Sequence, residues 1–71
     1  MSQKVNAFFD NVQFKNKVKN DAQFSRDLGV APPVISKMRS GGLPVGATII
    51  LRIHETYGTP VKEIRAALAE D

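Results

Sequence analysis

Val5, Phe8, Phe9 and Val12 recur at the three- and four-residue spacing that lines up side chains on one side of a helix, which predicts a first amphipathic helix near the start of the chain. Phe14 falls on the opposite side of that wheel, so this helix is expected to end or bend near it. A lysine-rich connector over 15–19 leads into Asn20-Asp21-Ala22-Gln23, which reads as a helix start. Asn20 can cap free N–H groups, Asp21 suits the positive end of the helix dipole, and Gln23 occupies the capping-box position. The second helix carries Phe24 and Leu28 inward and stops at Gly29, the residue type that most easily takes the left-handed turn beyond a helix end.

Pro32 and Pro33 would break a helix interior but are tolerated where a helix opens. Because a residue before proline avoids the helical region, Pro32 is expected to flank the third helix and Pro33 to open it, with Ser40 near its end before Gly41-Gly42. Leu43-Pro44-Val45 connects to a fourth helix over 46–57, with Ile49, Ile50, Ile53 and Tyr57 inward and Gly58 after it. Thr59 then reads as a cap and Pro60 as the first position of a last helix that buries Val61, Ile64 and Leu68. The expected fold is all-α, a compact bundle of five short helices without strands or repeats.

Seventy-one residues are enough for one domain, 1–71, and for one small core. The absence of cysteine removes disulfides, thiolate chemistry and cysteine-based zinc sites, leaving helix packing as the visible source of stability. The longest apolar run, Ile49-Ile50-Leu51, is far too short to span a bilayer, and no signal-peptide pattern opens the chain, so a cytosolic protein is expected. A formal charge of +3 favours an anionic partner weakly; the placement of Lys15, Lys17, Lys19, Lys37 and Arg39 before position 40, with Glu63, Glu70 and Asp71 at the other end, says more.

The segment over about 20–41 carries the functional signal. Two short helices joined at a glycine, the second presenting small and basic side chains, form the arrangement that lets a helix enter the DNA major groove. Small Ser25 permits close approach of the pair, Gly29 makes the turn, and Leu28, Val30, Ile35 and Met38 hold it on the core. Pro33, Ser36, Lys37 and Ser40 then face outward, with Arg39 at the flank. On these residues the chain resembles the XRE-type family of phage Cro and repressor proteins, and the likeness extends over roughly 20–68. It departs from the family pattern at Ala31, where serine or threonine is usual, at Pro32 or Pro33, often glutamine, at Arg39, often glutamate, and at Asp21, often glutamine.

That resemblance implies a lambda-repressor-like helix-turn-helix, a homodimer on an inverted repeat of double-stranded DNA, and a third helix facing base edges while the start of the second faces phosphate. Lys37 is then suited to guanine O6 and N7 or a phosphate, Ser36 to a base edge, and the Pro33 ring to a thymine methyl. Arg39 offers a fork of donors for phosphate or guanine, and Gln23, Ser40 and Thr48 are candidate backbone contacts. With no side-chain cap at Ala31, free N–H groups at the start of the third helix are expected to be open to phosphate or water. Spare apolar surface for a dimer is sought at Leu43, Val45 and Leu51.

No cofactor and no metal is expected. His54 is the only histidine and has no second histidine or cysteine to complete a metal set. No nucleophile elbow, phosphate loop or carboxylate pair suggests an enzyme, and no aromatic platform suggests RNA binding. The competing reading is a protein-interaction module that reuses the same fold, because two prolines stand where base-reading side chains are usual.

Overall fold

The computed structural model describes residues 3–69, which form five α-helices and no strand among them. They are α1 (Gln3–Lys15), α2 (Asp21–Leu28), α3 (Pro32–Ser40), α4 (Ala47–Tyr57) and α5 (Val61–Leu68). No helix of the described residues is long and apolar enough to cross a membrane.

The apolar faces read from the sequence meet in one core. Phe8, Phe9 and Val12 of α1 are buried against Phe24 and Leu28 of α2, Ile35 and Met38 of α3, Ile49 and Ile53 of α4, and Ile64 of α5. Aromatic rings join across the core: Phe9 meets Phe24 edge-on at 5.1 Å between centroids, and Tyr57 stacks on Phe24 at 6.1 Å. Such pairs add to the gain from removing apolar area from water. Helix α2 packs on α3 and α4, while α1 packs on α5 and α3, so the α2–α3 pair is supported from both sides.

Local chemistry sets the helix ends. Asn20 accepts the Gln23 N–H at 2.9 Å, and Gly29, at φ +70°, lets the Val30 N–H return to the Ser25 carbonyl at 3.0 Å. Three boundaries differ from the expectation. Helix α3 opens at Pro32, not Pro33: position N1 needs no N–H, Ala31 is extended at ψ 141°, and Pro32 takes the helical conformation although it precedes a proline, the pre-proline preference being overridden in the first turn. Gly46 lies outside α4 as its cap. Pro60, at ψ 137°, is likewise the residue before α5, with its carbonyl accepting the Ile64 N–H, so Thr59 provides no cap to it.

Two readings of α1 and its connector are refined. Helix α1 runs one residue past Phe14, whose ring is left 84% exposed. The connector also hides a core residue: Val18 is buried, held by its N–H to the Gln13 carbonyl at 2.8 Å.

Candidate nucleic-acid interface

The α2–α3 unit turns through Gly29, Val30 and Ala31. A Cβ on Gly29 would stand 2.7 Å from Nη1 of Arg52, which reaches across from α4 to donate to the Leu28 carbonyl at 3.1 Å. The left-handed φ favours glycine here, and a Cβ would also press on the end of the Arg52 side chain, which satisfies the end of α2 and would have to shift. Beneath the turn, Ser25 is buried and its hydroxyl donates to the Ala22 carbonyl at 2.9 Å, so a small polar side chain sits at the helix contact without an unmet hydrogen bond.

Along α3, Ile35 and Met38 are buried, and Pro33, Ser36, Lys37 and Ser40 are all exposed. Their spacing puts these four on one stripe, opposite the core. Lys37 pairs with no carboxylate among the described residues. Ser40 is less available: its hydroxyl donates to the Lys37 carbonyl at 3.0 Å, so it can accept from a ligand but has no proton to give in this rotamer. Gln23 lies half-buried at the start of α2, where its Oε1 accepts the Lys19 N–H at 3.1 Å and its amide nitrogen is left to donate. Thr48 is exposed in the first turn of α4.

Arg39 does not join the stripe. Its side chain is 19% exposed and turned inward. Nε approaches the Asp21 carboxylate at 2.9 Å, Nη1 donates to Asn6 Oδ1 at 2.8 Å, and Nη2 meets Asp10 at 2.9 Å. The guanidinium also lies over the Phe9 ring, 5.5 Å from its centroid, and Asn6 returns a hydrogen bond to the Arg39 carbonyl at 2.9 Å. Gln13 donates to Asp21 at 2.7 Å, extending the network along α1. With Nε, Nη1 and Nη2 each engaged, three of its five N–H donors, the planar fork fastens α3 to α1 and α2 and is turned away from the outward stripe. The helical wheel contains a signal for this, since Arg39 follows buried Ile35 by four positions, and Asn6, Asp10 and Gln13 form a polar stripe beside Phe9.

The start of α3 also departs from the expectation of free N–H groups. Pro32 and Pro33 have no amide hydrogen, and the next donor, Val34 N–H, already bonds the Ala31 carbonyl at 2.9 Å. The missing side-chain cap at Ala31 accordingly leaves nothing uncapped in the first turn, and an anion finds no donors among these three residues.

No group of three or more His, Cys, Asp or Glu among the described residues could hold a metal ion. His54 Nδ1 lies 2.8 Å from the Thr59 carbonyl, a contact that braces the α4–α5 turn. Comparison with family models, with curated proteins and with solved structures gives no match.

Proposed function

We propose that this chain is a sequence-specific double-stranded DNA-binding protein of the XRE-type helix-turn-helix class, a cytoplasmic transcription regulator that offers the outer face of α3 to the major groove. The observation that carries the reading is the stripe of Pro33, Ser36, Lys37 and Ser40, solvent-facing on a short helix whose opposite side is bolted to the core by Ile35, Met38 and Arg39. A rigidly mounted helix with a small, basic outer face suits groove entry, because nothing bulky blocks approach and little order is lost on binding. Lys37 reads guanine, Ser36 an adjacent base edge, and Pro33 a thymine methyl, with the Gln23 amide on a phosphate. Arg39 is a positioning residue for that face and not a contact. The protein acts as a homodimer, for which Leu51, 52% exposed, with half-buried Leu43 and Val45 supplies apolar surface.

Selection from a random duplex pool tests this. The wild-type protein is expected to enrich a short inverted repeat, and Ser36→Ala/Lys37→Ala to lose roughly tenfold or more of its affinity for that repeat without a fall in Tm. Failure to enrich any sequence at low salt would sink the reading. A partner then captured with an affinity insensitive to salt would point to the protein-interaction module instead.

A further inference from the structure

Phe14 is the most exposed large apolar side chain among the described residues, and it opens a stretch of unusual charge. Residues 11–20 contain Lys15, Lys17 and Lys19 and no carboxylate. The stretch is also fixed in shape. Asn16 bonds the Val12 carbonyl through both its N–H, at 3.1 Å, and its side-chain amide, at 2.8 Å; Val18 is plugged into the core; and the Lys19 N–H is held by Gln23 at 3.1 Å. Lys17 adopts φ +57°, the sole non-glycine residue described in the left-handed region, where Gly29, Gly41 and Gly58 also lie. The left-handed backbone at Lys17 is one that glycine adopts more easily, so the lysine side chain is held at this turn at some conformational cost.

The surroundings decide what would cover Phe14. A second copy meeting the same patch would oppose lysine to lysine. A lipid surface would find one ring whose helical neighbours, Asp10 and Asn11, are polar, too little apolar face to anchor in a bilayer. A nucleic-acid backbone matches both features, with phosphates for the ammonium groups and sugar faces for the ring. The place fits as well, because Lys19 adjoins Gln23 at the start of α2.

We propose that the α1–α2 connector is a sequence-independent DNA-backbone clamp, in which Lys17 and Lys19 neutralise phosphates while Phe14 packs on the deoxyribose between them. The inference rests on the reading of this chain as a double-stranded DNA binder and adds to it a contact outside the α3 face.

The test uses the intact protein and a labelled random-sequence duplex longer than its 30 Å extent, titrated across a series of salt concentrations. Lys17→Gln/Lys19→Gln is expected to lower the slope of log affinity against log salt by about two, at ~0.9 for each phosphate released from its counterion. Phe14→Ser is expected to weaken binding about tenfold with the slope unchanged, since it removes apolar contact but no charge. Lys17→Gly separates charge from fold: it should raise Tm by relieving the left-handed backbone, yet lower the slope by about one. An unchanged slope in a folded Lys17→Gln/Lys19→Gln variant overturns the clamp. If Lys37→Ala still loses the selected repeat in that case, the α3 reading survives alone; if the wild-type protein shows no salt-dependent duplex binding, both fall. Tighter, Phe14-dependent binding to phosphatidylserine vesicles than to duplex would overturn the clamp in favour of a lipid surface.

Discussion

Tyr57 stacks on Phe24 with its hydroxyl donating to Asp27 at 3.1 Å, and burial, reinforced by that hydrogen bond and by the Asp27 charge, pushes its ionisation well above the ordinary phenol range. An acid whose folded pKa lies above its unfolded value binds its proton more tightly in the native state. Its contribution is therefore complete below about pH 10, the unfolded value, and declines as pH rises from there. Because Tyr57 is the only tyrosine, phenolate absorbance reports it alone. Alkaline titration should show phenolate forming above the ordinary phenol range while the chain stays folded, and Tyr57→Phe should flatten the loss of stability above about pH 10; a normal titration would refute the Tyr57–Asp27 contact. At this same scale the caps were legible, since Asn20 and Gly29 act within a few residues of themselves. Arg52 was not, because its acceptor at Leu28 lies 24 positions away.

Among the elements, α3 and α4 begin in opposite ways although neither has a side-chain cap. The first turn of α3 lacks two amide hydrogens and uses the third internally, so a capping side chain has little to accept. Helix α4 starts with ordinary donors at Ala47, Thr48 and Ile49 behind Gly46, which has a negative φ of −86° and open space around its would-be Cβ. Gly46→Asp should therefore stabilise the protein by about 0.5–1 kcal/mol, through capping and reduced unfolded-state freedom, while Ala31→Ser should change it by less than about 0.3 kcal/mol. Urea denaturation of the two variants gives the comparison, and a gain of similar size at both positions would show that α3 does carry unmet donors. The proline pair held the signal for this, since two residues without amide hydrogens cannot leave donors free, although the expectation drawn from Ala31 was of open N–H groups. The exact first residue of α3, α4 and α5 was less legible, because proline and glycine are compatible with positions on either side of a helix boundary.

For the molecule as a whole, Arg39 is the joint between α3 and the α1–α2 pair. Removing it leaves Asp21 and Asp10 without their cation and uncovers Phe9. Asp10 is 71% exposed and Asp21 45%, so water takes over part of that role and the loss is smaller than for a dry ion pair. Arg39→Met, which keeps the apolar stem, should cost about 1–2 kcal/mol and Arg39→Lys a similar amount, since an ammonium cannot serve three acceptors in one plane. Chemical denaturation measures both. If Arg39→Met proved neutral in stability yet abolished binding to the selected repeat, Arg39 would be a DNA contact after all.

Much about this protein follows from the order of its residues alone. Five helices, their apolar faces, the Asn20 and Gly29 caps, and the outward stripe of Pro33, Ser36, Lys37 and Ser40 all depend on spacings of a few residues, which secondary structure converts directly into position. What the tertiary structure decided is the fate of groups whose partners are remote. Arg39 finds its acceptors 18, 29 and 33 positions away, so only packing could turn it from a surface cation into an internal joint. Val18, alone among lysines, became core because the chain reverses between α1 and α2 and drives that one side chain inward. Phe14, by contrast, was left in water because no other helix covers that side of α1.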